Sequence, residues 1–271
     1  MSSPENPPLD PAVPLVQESA GTPVWSQPPR DPVWSGWDVL KIAILMFVTP
    51  LFLDIVLALT THKVLHIGAT WQQVAQKPVV ELLAEVLAYC GVLFYMVVLV
   101  EGQYHRRFLE AISWNWPHRV WGLAAIGFGT LIVLQGLGHF LPIPKNVPFE
   151  EFFKHPLEAY VTSLLAISVG PLMEELFFRG FLYPVLARRL GLATAIFLTA
   201  FAFGMLHSIQ LGFAWGAVFI IFLVGLVLTI VRAVTNSVGS SVVVHIAYNF
   251  TLTALTFVGT GGFRHLERLN Q

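Results

Sequence analysis

The sequence predicts an all-α protein of the membrane, a polytopic helical bundle of about seven transmembrane helices. Three observations predict it. Hydrophobic residues make up 55% of the 271 and charged residues only 11%, against about 25% charged in an ordinary globular domain, and the mean hydropathy is +0.69. Apolar windows of the length needed to cross about 30 Å of hydrocarbon recur along the chain. Ionisable residues nevertheless collect inside some of these windows, where each is costly enough to require a partner or a cavity. A formal net charge of −1 without a basic patch argues against nucleic acid as a partner. Cys90, the single cysteine, rules out an internal disulfide and reads as a packing residue.

Nine of the 18 prolines fall in the first 32 residues, where no apolar periodicity survives. Residues 1–35 therefore read as a disordered tail, 36–260 as the membrane domain and 261–271 as a second short tail. The tail has neither the basic region nor the apolar core of a signal peptide, so the first membrane helix is expected to act as its own insertion signal. Windows for helices lie near 38–60, 79–100, 120–141, 158–188, 192–207, 213–232 and 238–258. Trp34 and Trp37 open the first, and Trp114, Trp116 and Trp121 flank the third, as expected of indoles anchored at headgroup depth. The fourth window is too long for one straight crossing, and Gly170-Pro171 in its middle predicts a kink or a break.

Counting Lys and Arg on alternate sides of seven spans sets Arg30, Lys41, Arg106, Arg107, Arg119, Arg188, Arg189 and Arg232 against Lys63, Lys77, Lys145, Lys154, Arg264 and Arg268, which favours a cytoplasmic N-terminus. Asp54, several residues inside the first span, needs either an interhelical donor or the cavity. Gly212 and Gly216 have the spacing of a small-residue helix contact.

The chemistry is concentrated in the second half. The stretch VGPLMEELFFRGFLYP, 169–184, sets Glu174, Glu175 and Arg179 in an apolar helix. Residues four apart share a helical face, so Glu175 and Arg179 can neutralise each other. Glu174 points about 100° away and is left as a carboxylate without a local partner, as a general base would be; a three-way brace of both glutamates on Arg179 is the competing structural reading. Phe203-Gly-Met-Leu-His207 closes the fifth window with a histidine, and His245 and Asn249 lie on one face of the seventh. Burying all of these polar groups without a function would be expensive.

The motifs E-E-x-x-x-R at 174–179, F-x-x-x-H at 203–207 and H-x-x-x-N at 245–249, in that order, resemble those of the CAAX-protease and bacteriocin-processing (CPBP, or Abi) family of intramembrane proteases. The resemblance covers roughly residues 155–258. It implies a bundle of about seven to eight transmembrane helices with a water-filled intramembrane site, in which Glu174 activates the attacking water, His207 orients that water, His245 and Asn249 donate hydrogen bonds to the oxyanion, and Glu175 and Arg179 support the site. No cofactor is implied; the zinc alternative, with the two histidines and a glutamate as ligands, stays open, although no H-E-x-x-H is present and an asparagine suits an oxyanion better than a zinc ion.

The expected partners are the lipid bilayer, here expected to be a bacterial plasma membrane, and a hydrophobic or lipidated peptide substrate. A non-catalytic scaffold or self-immunity factor is a second reading, which the full set Glu174, His207, His245 and Asn249 disfavours. A proton-coupled carrier is a third. It calls for polar sites in two repeated halves, and here they are confined to one.

Overall fold

The computed structural model describes residues 32–66, 70–144, 148–153 and 155–265. The Pro-rich segment before residue 32 and the last six residues, with the expectations placed on them, lie outside this range. Among the described residues all regular structure is helical.

Helix α1, Gly36–Leu65, starts at a capping box: Ser35 Oγ accepts from the backbone of Asp38, and the Asp38 carboxylate accepts from the backbone N–H of Ser35. Asp38 is buried because Tyr104 and Lys41 also donate to it. Short α2, Trp71–Ala75, leads into α3, Pro78–Val97, which continues through a π-helical turn, Val98–Gln103. Short α4, Phe108–Ala111, is followed by α5, Val120–Gly138. After a 3₁₀ turn, Pro148–Phe153, come α6, Pro156–Ala166, α7, Val169–Glu175, a second π-helical turn, Leu176–Leu182, and α8, Tyr183–Leu190. The chain ends with α9, Leu192–Leu206, α10, Trp215–Thr235, and α11, Val238–Gly259.

Six segments are long and apolar enough to cross a membrane: Gly36–Val64, Pro78–Gln103, Val120–Gly138, Pro156–Leu190, Trp215–Thr235 and Val238–Gly259. Helix α9, with 15 residues, is apolar but shorter. Every predicted window is thus helical, and the protein is an integral, multi-pass one. Large apolar side chains such as Phe47, Leu51, Phe94, Val133 and Phe250 face outward, the placement that lipid, unlike water, does not penalise.

The long fourth window resolves into two pieces. Pro171 has no N–H to give to the carbonyl of Ile167, four residues back, and α6 ends at Ala166, just before it. Pro184 acts in the same way further on. In a π-helical turn the Arg179 carbonyl would take the N–H five residues ahead, which is Pro184 and has none. Arg232 Nε donates to that carbonyl instead, at 3.2 Å, and Trp34 Nε1 donates to the Phe181 carbonyl at 3.1 Å. The irregular turn that carries Arg179 is therefore fastened by side chains from α10 and from the entrance of α1.

These contacts correct four expectations. Trp34 is 1% exposed and packs on Phe181 with ring centroids 4.5 Å apart, so it bolts α1 to the core, whereas Trp37, Trp116 and Trp121 do face outward. Arg232 is 2% exposed and bonded to Asn236, so it is no flanking charge and drops out of the topology count, in which Arg30, Lys145, Lys154 and Arg268 lie outside the described residues. Gly212 sits in a turn with φ 56°, and a Cβ on Gly216 would meet the Pro142 carbonyl at 2.9 Å, so the pair backs a loop and does not form a helix–helix face. Cys90 is exposed on α3 and fills no core position.

Asp54 finds neither of its expected environments. Its Oδ1 is buried without a hydrogen bond, the ionisable neighbour across the helix pair is Glu81 of α3, another acid, and Asp54 does not line the cavity described below.

Helices α5 and α11 pack so closely that a Cβ added to Gly127 would lie 2.4 Å from the Val244 carbonyl and 2.9 Å from the Tyr248 amide nitrogen. Both obstacles are backbone of the helix that carries His245. Gly127→Ala is expected to force α5 away from α11 and lower stability by about 1–3 kcal/mol, read as a lower Tm in detergent with loss of activity in parallel.

Candidate active site

Four elements carry the predicted side chains. Glu174 and Glu175 end α7, Arg179 lies in the π-helical turn, His207 follows the last residue of α9, and His245 and Asn249 occupy α11. The structure brings all six together beside a cavity of about 510 Å³. Glu174, His207, His245 and Asn249 line it, along with Phe203 and Tyr248.

Glu175 and Arg179 form the expected i,i+4 pair, 2.7 Å apart, with both side chains wholly buried. Each of the other two guanidinium nitrogens also has a partner: Nη2 donates to the Gly225 carbonyl at 2.9 Å and Nε to Thr229 Oγ1 at 3.3 Å, while the guanidinium carbon sits 4.7 Å from the Phe203 ring centre. Such pairing is what allows a charge to be buried at all. Glu174 takes no part in this brace, so the three-way structural reading is not met. Its carboxylate faces the Nε2 atoms of His207, at 3.8 Å, and of His245, at 3.7 Å.

The ring orientations follow from the other nitrogens. Nδ1 of His207 lies 2.8 Å from the Phe203 carbonyl, which can only accept, so Nδ1 carries hydrogen and the neutral ring turns a bare Nε2 toward Glu174. Nδ1 of His245 lies 2.9 Å from Glu175 Oε1. That oxygen already accepts from Arg179 and belongs to an ionised group, so here too Nδ1 is the donor. His245 can then offer an N–H to the cavity only as an imidazolium.

Asn249 commits one amide hydrogen to the Ala166 carbonyl, at 2.7 Å, where α6 breaks, and has a second for the cavity. Among the described residues no three His, Cys, Asp or Glu side chains group so as to hold a metal ion.

Sequence reasoning missed several contributors. Phe203 enters only as part of a motif, yet its ring contacts His207, with centroids 4.8 Å apart, and His245, at 5.7 Å, as well as Arg179; its position four residues before His207 was the available signal. Gly225 of α10 has no polar side chain, and Thr229 is a single hydroxyl in an otherwise apolar span. Glu85 and Tyr89 of α3 also line the cavity, from a window read only for its hydropathy.

A membrane bundle enclosing a carboxylate and two imidazoles in a cavity is the class of protein that fold and site define. Residues 156–251 match the family model described as Type II CAAX prenyl endopeptidase, Rce1-like, a match that supports the resemblance of this segment to the CPBP membrane proteases. The match takes in α6 to α10 and most of α11, with every residue of the three motifs, and leaves α1 to α5 outside. No curated protein and no solved structure matches the chain significantly.

Proposed function

We propose that the chain is an endopeptidase that hydrolyses a peptide bond of a hydrophobic or membrane-tethered substrate, lipidated CAAX-like peptides among them, with a water activated by Glu174. The observation that carries this reading is the convergence of Glu174, His207 and His245, from three separate elements, on one cavity inside the bundle. A water between Glu174 and His207 gives one hydrogen to the carboxylate and the other to the bare Nε2 of the imidazole. Its oxygen attacks the carbonyl carbon while Glu174 takes the proton. Charge then develops on the carbonyl oxygen, where the N–H of a doubly protonated His245 and the free amide hydrogen of Asn249 are available as donors. As the tetrahedral species collapses, Glu174 passes its proton to the departing amine nitrogen, and the carboxylate is regenerated. Glu175 and Arg179 hold His245 in place throughout.

The direct test is cleavage of fluorogenic apolar and farnesylated peptides by the purified full chain in detergent. Turnover that disappears in Glu174→Gln supports the reading; a wild-type protein inert on every such peptide contradicts it and favours the non-catalytic scaffold.

Zinc chemistry is the second reading, because bare Nε2 atoms are also what a metal needs from imidazole. The three side chains do not form a metal-holding group as they stand, and no step above uses one. Prolonged treatment with EDTA or phenanthroline is expected to leave activity largely intact, and metal analysis of the pure protein to give well under about one equivalent. Loss of activity on chelation with recovery on adding Zn²⁺ would reverse the choice. His245→Gln separates the two independently: an amide can still donate to an oxyanion and keep part of the rate, a loss of about a hundredfold being typical for one such donor, whereas a lost ligand would strip the metal.

A further inference from the structure

The cavity is open to a second carboxylate that none of the three family motifs supplies. Glu85 and Tyr89 stand four residues apart on one face of α3, outside the segment that matches the family, and both line the same cavity as Glu174. Tyr89 Oη donates to Glu85 Oε1 at 2.6 Å, which fixes that carboxylate. Among the described residues no other hydrogen bond and no ion pair reaches Glu85, and no described lysine or arginine lines the cavity. The nearest guanidinium, Arg179, is spent on Glu175, Gly225 and Thr229. A part-buried carboxylate held by one hydroxyl, in a cavity walled by Leu82, Leu165 and Leu252, is stabilised when a cation arrives.

We propose that Glu85, oriented by Tyr89, is a specificity residue that receives a basic group of the peptide, a lysine or arginine side chain, while Glu174 faces the scissile bond. The inference rests on the endopeptidase reading and narrows it. A charge-assisted hydrogen bond of this kind corresponds to about tenfold in affinity or more.

The test uses the full chain carrying Glu174→Gln, so that binding is read without turnover. Fluorescence anisotropy compares C-terminally amidated apolar peptides in which one residue, at each position in turn, is lysine, its neutral analogue norleucine, or glutamate. The best-placed lysine is expected to bind about tenfold tighter than norleucine, and glutamate weaker than either. Adding Glu85→Gln should erase the lysine preference, Glu85→Lys should turn it toward glutamate, and Tyr89→Phe should weaken it. Should the Glu85 variants fail to fold, the ranking of lysine, norleucine and glutamate peptides on the parent protein and its loss in Tyr89→Phe give a second measure. Equal binding of all three peptides, or a lysine preference that survives Glu85→Gln, overturns the proposal. Cleavage by the wild-type chain is scored separately: charge preference without cleavage rejects the protease and leaves the subsite, while cleavage without charge preference does the reverse.

Discussion

Glu174→Gln is expected to abolish hydrolysis while leaving the protein folded in the membrane. The amide keeps the shape and polarity of the carboxylate but cannot take a proton from water, and removal of a general base costs about a hundredfold to ten-thousandfold in rate. Stability should change little, because the salt bridge that holds this region runs through Glu175 and Glu174 has no part in it. Glu174 meets only the two imidazoles, at 3.7 and 3.8 Å, distances that leave room for bridging rather than direct bonding. The measurement is the initial rate on a fluorogenic peptide beside the thermal unfolding midpoint of the same preparation. An inactive variant with an unchanged Tm supports the base; full activity would remove Glu174 from the mechanism and leave the proton acceptor to be sought at His207.

What could be read in the sequence was whatever one segment determines by itself. Hydropathy placed the helices because lipid rewards long apolar runs whichever way they face, and the i,i+4 rule paired Glu175 with Arg179 because both partners lie on one helix. The break ahead of Pro171 was legible for the same reason: the missing N–H is a local fact. The second proline effect was not, since it shows only once Arg232, 53 residues beyond Arg179, supplies the donor that Pro184 lacks. Trp34 failed as an interfacial anchor because its partner, the Phe181 carbonyl, lies 147 residues further on. A tryptophan at a helix entrance has the same sequence signature in both roles. Glu85 and Tyr89 escaped for a related reason: on α3 they look like tolerated polar residues of an ordinary span, and only the approach of α7, α9 and α11 to one cavity gives them a function. His245 was visible as a polar residue in an apolar helix, but the condition on its protonation needed the position of Nδ1 against Glu175, which no spacing reveals.

Arg179→Ala should do the most damage to the fold, because it removes the only cation in the interior of the Glu174, Glu175 and His245 cluster apart from His245 itself. Glu175 would be left wholly buried with its countercharge gone. Truncating one member of a buried ion pair typically costs about 3–5 kcal/mol, and here the Gly225 carbonyl and Thr229 would lose a donor in the same step. The neighbouring Phe203 ring would lose the guanidinium it packs against at 4.7 Å, and through that ring the disturbance reaches His207 and His245. Yield, Tm and activity should therefore fall together. A double variant gives the decisive comparison: with Glu175→Gln added to Arg179→Ala, the charge that loss of the arginine leaves unpaired is removed as well, so much of the lost Tm should return. Activity should not return with it, because an amide holds the imidazolium of His245 less firmly than a carboxylate does. An Arg179→Ala protein that is as stable as wild type but inactive would assign the arginine to the chemistry itself, and a double variant no more stable than the single one would show that packing on Phe203, and not charge pairing, is what Arg179 supplies.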